Sequence, residues 1–169
     1  MDIRLTIGKK IVYPAQGPCI IGSIVNKTIG DQQLSFYQLT VLINGSMNLF
    51  VPVNKVQELG IRPLLEKEEV ASVLEQLRQP AKKITTWRER NLYNLKLFAA
   101  GSAFDLAEII QSLTDSRENK TLAFGENKTL ERARDLLICE LSLVLREARG
   151  YAEKLVDEAL EARKQNLPV

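Results

Sequence analysis

The chain has 169 residues, 45% hydrophobic and 26% charged, with a formal net charge of +2. That length allows one domain or two small ones, and that balance is ordinary for a soluble globular protein. Histidine is absent, which removes the commonest general base and metal ligand. No apolar run approaches the ~20 residues of a membrane-spanning helix.

The opening "MDIRLTIGKK" has no charged-then-apolar export pattern, so a cytoplasmic protein is expected. Cys19 and Cys139 stand far apart in no metal-ligand spacing and read as two reduced thiols. The first 60 residues run in short bursts rich in Val, Ile, Tyr, Phe and Thr: "KKIVYP", "PCIIGSIVNKTI", "LSFYQLTVLI" and "MNLFVPV". Turn signals separate them. "YPAQGP" sets two prolines around a glycine, "NKTIGDQQ" predicts a wide hairpin loop, and Asn44-Gly45 predicts a tight one. Four or five short strands in so few residues suit a small, strongly bent barrel, in which closure protects the edges.

Past Pro63 the apolar period changes from that of a strand to that of a helix. "EKEEVASVLEQLRQ" places Val70, Val73, Leu74 and Leu77 on one face and meets Pro80 just past its end. "SAFDLAEIIQSL" opens on Ser102 with Asp105 three residues on, a capping-box variant, and points Leu106, Ile109, Ile110 and Leu113 inward. "TLERARDLLICELSLVLREAR" predicts a long helix with Leu130, Ala133, Leu137, Leu141, Val144 and Leu145 on one face, ended by Gly150. A last helix turns Leu155, Val156, Ala159 and Leu160 inward. The expected architecture is therefore α+β with two domains: residues 1–63 as a β-barrel and 64–169 as a five-helix bundle.

Catalysis finds little support. There is no glycine-rich phosphate loop and no serine elbow. The carboxylates fall at helix surface positions, where a solvated face explains them. Binding finds more. Within 80–96 stand Lys82, Lys83, Arg88, Arg90 and Lys96 against Glu89 alone, a local net charge of +4. The overall pI of about 8.5 is below that of a typical nucleic-acid domain, but a surface field depends on clustering. The same stretch holds the one tryptophan. "TTWRER" fits a capping box with Thr86 as cap, which makes Trp87 the first residue of a helix whose apolar stripe is Leu92, Leu95 and Ala99. An aromatic at a helix mouth among cations suits nucleic acid: the charges attract phosphates and the flat ring wedges against a base step. The pattern alone leaves this reading open beside another, a staple between helices or domains.

Four segments in order resemble the CarD/CdnL family of bacterial transcription regulators. "IGKKIVYPAQGPCIIGSI" is similar to its G-D-x-V-V-Y-P-x-x-G opening, and "LFVPVNKVQELGIRPL" to its V-P…G-x-R segment. "TTWRERNLYNLKLFAAGSAFDLAEIIQSL" resembles its W-x-x-R helix and the helix that follows. "FGENKTLERARDLL" resembles its G-E-K-x-x-L-x-x-A-R run. The resemblance implies a Tudor-like N-terminal barrel that binds the RNA polymerase β subunit, with Lys27, Ile29, Phe50, Val51 and Pro52 at the contact. It implies a helical domain that meets promoter DNA at the upstream edge of the bubble. There Trp87 would wedge into the minor groove, with Arg88, Arg90, Lys82, Lys83 and Lys128 as supporting contacts. It further implies a monomer with no enzymatic activity, cofactor or metal. Phe50 stands where some members carry arginine, Thr114-Asp115-Ser116 where many are basic or aromatic, and Asn127 where the motif has lysine. These departures keep an alternative open: an adaptor that binds polymerase or another assembly through its barrel, with no direct DNA contact.

Overall fold

The computed structural model describes residues 4–43, 45, 47–84 and 86–166. The chain divides into two compact units between Leu64 and Leu65. The N-terminal unit is one antiparallel sheet. Its strands are β1 (Lys10–Tyr13), β2 (Gly17–Ile29), β3 (Gln32–Val41), β4 (Asn48–Pro52) and β5 (Arg62–Pro63), in the order β4-β3-β2-β1-β5. Side chains alternate faces along each strand, so Tyr37, Leu39 and Val41 of β3 are buried while Gln38 and Thr40 are not. A register shift between Ile21 and Ile24 marks a bulge in β2, and a bulge bends the strand that carries it. Ile11 of β1 and Val51 of β4 consequently share one core with Cys19, Ile21, Tyr37 and Leu39, although β2 and β3 lie between them. The sheet curls over its own core.

It does not close, and this corrects the expected barrel: among the described residues β4 and β5 are both edges. β5 is two residues long, pairs only with β1 and ends in Pro63, which has no N–H to offer a further strand. The hairpin at "NKTIGDQQ" is also tighter than expected. Ile29 pairs with Gln32, leaving Gly30-Asp31 as a two-residue turn with Gly30 at φ 63°, a left-handed conformation that costs glycine little. Asn44 of the other expected turn lies outside the described residues.

The second unit holds five helices: α1 (Glu69–Leu77), α2 (Trp87–Ala100), α3 (Ala103–Asn119), α4 (Phe124–Leu145) and α5 (Arg149–Arg163). None is long and apolar enough to cross a membrane. The apolar stripes of α1, α3, α4 and α5 face inward as their spacing predicts: Val70, Val73, Leu106, Ile109, Ile110, Leu113, Leu137, Leu141, Val156 and Ala159 are all buried. α3 opens on a complete capping box between Ser102 and Asp105, an arrangement worth about 1 kcal/mol.

Three expectations about the helices are corrected. α4 begins at Phe124, five residues before Thr129, and stops at Leu145 because Arg146 adopts the left-handed conformation, φ 56°. Gly150, expected to end α4, lies in the first turn of α5. The largest correction is α2. Its expected inward stripe of Leu92, Leu95 and Ala99 is exposed, and its buried residues are Arg90 and Asn94. The reason is a specific polar partner on another helix.

Candidate functional site

α2 starts at Thr86, whose backbone is extended (φ −120°, ψ 150°) and whose Oγ1 accepts a hydrogen bond from the Glu89 N–H at 3.2 Å. The cap makes Trp87 the first helical residue. Its indole is half-exposed, at 50%, and it is not loose. Trp87 Nε1 donates to Glu126 Oε1 at 3.0 Å. The other carboxylate oxygen, Oε2, accepts from Arg90 Nε at 3.1 Å and Nη2 at 2.8 Å. Arg90 and Glu126 are 8% and 5% exposed. One carboxylate thus serves a guanidinium it meets inside the fold and an indole that reaches the surface. Glu126 sits in the first turn of α4, where the helix dipole favours a negative charge.

Two positions from Glu126, Phe124 is the first residue of α4 and is 76% exposed. Lys128 Nζ lies 4.7 Å from the centre of its ring, within cation–π range. The Glu126 bridge therefore joins the starts of α2 and α4, and each of those starts carries one exposed aromatic, Trp87 or Phe124. Arg88 and Lys83 are exposed. Lys82 is exposed and pairs at 3.5 Å with Glu108, which also accepts a 2.6 Å hydrogen bond from the Tyr93 hydroxyl. That bond raises the Tyr93 pKa above the usual phenol value. A cleft of about 830 Å³ includes Lys82, Lys83, Arg90 and Lys120 in its lining.

The expected cations do not all stand alike. Lys82, Lys83, Arg88 and Lys128 can meet an external anion. Arg90 stands apart: Nε and Nη2 are spent on Glu126 inside the fold, so most of its guanidinium is not offered to a phosphate although it contributes to the cleft lining. The departures at 114–116 and 127 also take on structural meaning. Asp115 accepts from the Ala81 N–H at 3.2 Å and is ion-paired with the buried Arg163, so it fixes the segment that carries Lys82 and Lys83. Asn127 Nδ2 donates to the Leu122 carbonyl at 3.3 Å, closing the turn before α4.

Glu126 and Phe124 escaped the sequence reading. Helix surface positions predict solvated carboxylates, yet Glu126 and Glu140 are buried, and Glu140 accepts from the Leu65 N–H at 3.0 Å. Phe124 was readable as a lone aromatic beside Gly125 and ahead of "ENK", at a helix start.

In the N-terminal unit, Lys27 of β2 places Nζ 4.0 Å from the Phe50 ring centre and 5.9 Å from that of Phe36. Registry explains the cluster. Lys27 lies opposite Leu34, Phe36 opposite Pro52, and Gln38 opposite Phe50, all on one face. Phe50 is 44% exposed, and Ile29 at the hairpin tip is exposed as well. Val51 is different. It pairs with Tyr37 on the opposite face and is 1% exposed, so its side chain belongs to the core. Phe50, Val51 and Pro52 cannot all present side chains to one partner, because neighbours in a strand point opposite ways. β4 is an edge, but the Val41 N–H bonds the Met47 carbonyl, so the alternate pair Tyr37–Val51 turns its main-chain groups toward β3 and Phe50 turns its own to the open edge. Among the described residues, no group of His, Cys, Asp or Glu is placed to hold a metal ion.

These features define a two-part binding protein: a curled sheet with an edge strand and a cation-on-aromatic surface, and a helical unit with one exposed indole anchored on a buried ion pair. Comparison with known proteins agrees part by part. Residues 5–65 match the CarD-like/TRCF RID domain and residues 69–157 match the CarD C-terminal domain. The chain belongs to the CarD family, whose members are transcription proteins with an RNA polymerase-interacting domain. It is also 26% identical over 151 residues to a protein of Bacillus subtilis (strain 168) named "Putative transcription factor YdeB", covering 89% of this chain and 95% of the relative.

Proposed function

We propose that this protein binds the β subunit of RNA polymerase through its N-terminal unit and stabilises the promoter open complex through its helical unit. In this reading Trp87 enters the minor groove at the upstream edge of the bubble. The observation that carries it is the held but exposed indole. A tryptophan kept as a core staple would be covered, whereas this one is anchored on its N–H side and half open to solvent. Phe124 adds a second exposed ring at the start of α4, and Lys82, Lys83, Arg88 and Lys128 supply attraction for phosphates. A wedge that fits a melted fork better than closed duplex shifts the equilibrium toward the open state. Tethering through the sheet raises the local concentration of the helices at the promoter, so their own affinity for DNA can be modest. The protein acts as a monomer in the cytoplasm, without catalysis or cofactor.

Fork-junction DNA binding tests the helical half. The logarithm of the affinity should fall linearly with the logarithm of salt, by about one slope unit for each phosphate cation engaged. Binding that ignores salt would instead favour the adaptor reading, in which both units meet protein.

The sheet half makes a paired prediction. Phe50→Ala should leave thermal stability within ~0.5 kcal/mol, since the ring is exposed, and should weaken β-subunit binding in a pull-down with the full chain. Val51→Ala, its neighbour, should cost about 2 kcal/mol of stability through a lost core contact.

A further inference from the structure

We propose that Glu126 and Arg90 are positioning residues for Trp87. The buried pair fixes the indole in one exposed orientation and consumes its hydrogen-bond donor, so the ring meets DNA as an apolar wedge. The inference rests on the minor-groove reading of Trp87 given above.

An indole has one donor, the Nε1–H, and no acceptor. Here that donor is spent on Glu126 Oε1 at 3.0 Å. Glu126 is in turn held by two bonds from Arg90, and both members of the pair are buried. Each link fixes the next: Arg90 belongs to the same helix as Trp87, one turn on, while Glu126 comes from the first turn of α4. A half-exposed ring without such an anchor would sample several rotamers and would lose that freedom on binding. An anchored ring has already lost it. Arg90 also neutralises the carboxylate, so the phosphates approaching Trp87 do not face an uncompensated negative charge.

This arrangement determines what the ring can read. The minor groove offers the acceptors A N3 and T O2, and the donor G N2. An indole whose N–H is committed cannot donate to the first two and has nothing with which to accept from the third. Discrimination then falls on the cost of opening a base step. That cost is low at pyrimidine–purine steps and at a fork already partly unstacked.

The test uses the full chain, in which Trp87 is the sole tryptophan. In the unmodified protein, the indole N–H should exchange with solvent at least roughly tenfold more slowly than that of a free indole, as measured by NMR, because it is hydrogen-bonded. Unprotected exchange overturns the proposal. Two variants then isolate the acceptor. Arg90→Met with Glu126→Gln keeps an oxygen for the indole, and Arg90→Met with Glu126→Leu removes it. Neither leaves a lone buried charge. The Gln variant should retain slow exchange and bind fork DNA more weakly than the unmodified chain but more tightly than the Leu variant. The Leu variant, equally folded by circular dichroism, should lose protection and bind about tenfold more weakly than the Gln variant, the worth of a hydrogen bond and a fixed rotamer. Equal behaviour of the two variants overturns the proposal. If the unmodified chain itself does not bind the fork, the minor-groove reading fails, while the exchange rates still decide whether Glu126 holds the ring.

Discussion

Replacing Trp87 with alanine is expected to shorten the lifetime of a polymerase–promoter open complex about tenfold, from the ~1–3 kcal/mol that an aromatic contributes against a base. Polymerase binding should be unchanged, because the sheet surface of Lys27, Phe36 and Phe50 lies in the other folding unit. Thermal stability should change little. The indole is half-exposed, and Glu126 keeps both of its bonds from Arg90 when the ring is gone. The measurement is competitor-challenged decay of open complexes on a defined promoter, at fixed salt. Loss of lifetime without loss of stability or polymerase affinity separates a contact residue from a staple, which would unfold the helices instead.

The second large effect concerns stability. Arg90→Met alone leaves the Glu126 carboxylate buried with only the indole N–H for company. Removing one member of a buried pair costs about 3–5 kcal/mol, which for a unit of this size lowers the melting temperature by roughly 15 °C. Following helicity during thermal denaturation would show it. Adding Glu126→Leu should recover most of the loss, because an apolar pair of similar volume needs no desolvation compensation. A single variant as stable as the unmodified chain would mean that water reaches the carboxylate and that the ion pair carries little weight.

Much of this fold was legible from periodicity. The inward faces of α1, α3 and α5 follow directly from apolar spacing, and the caps at Thr86 and Ser102 from side chains that hydrogen-bond backbone N–H groups at a helix start. α2 resisted because its orientation is set by one long-range pair. Hydrophobic spacing nominates Leu92, Leu95 and Ala99 as the inner face, but Glu126, 36 residues beyond Arg90, draws the guanidinium inward and rotates the leucines out. No local pattern carries that information. Val51 is the opposite case. Its burial was available from strand alternation, since Phe50 and Val51 must face opposite ways. The closed barrel failed for a local reason as well: Pro63 ends a two-residue strand that cannot bridge to β4.

The departures from the family pattern do not thin the site as a plain comparison of residues suggests. Asp115 and Asn127 hold backbone rather than phosphate. Lys120 lies in the lining of the same cleft as Lys82 and Lys83, and Phe124 lies beside Lys128, so under the proposed function both add to the candidate contacts. One exposed ring stands on each of two helix starts, and the Lys128 ammonium lies over the second.

The central claim is that the mouth of α2 touches promoter DNA within a polymerase complex. A photoreactive benzoylphenylalanine at position 88, next to an intact Trp87, tests it most directly. Irradiated in an open complex, it should form an adduct with the DNA strand at the upstream edge of the bubble, and the yield should fall when Trp87→Ala is added. Adducts with polymerase polypeptide alone, unaffected by Trp87→Ala, would contradict the account and establish the protein as an adaptor.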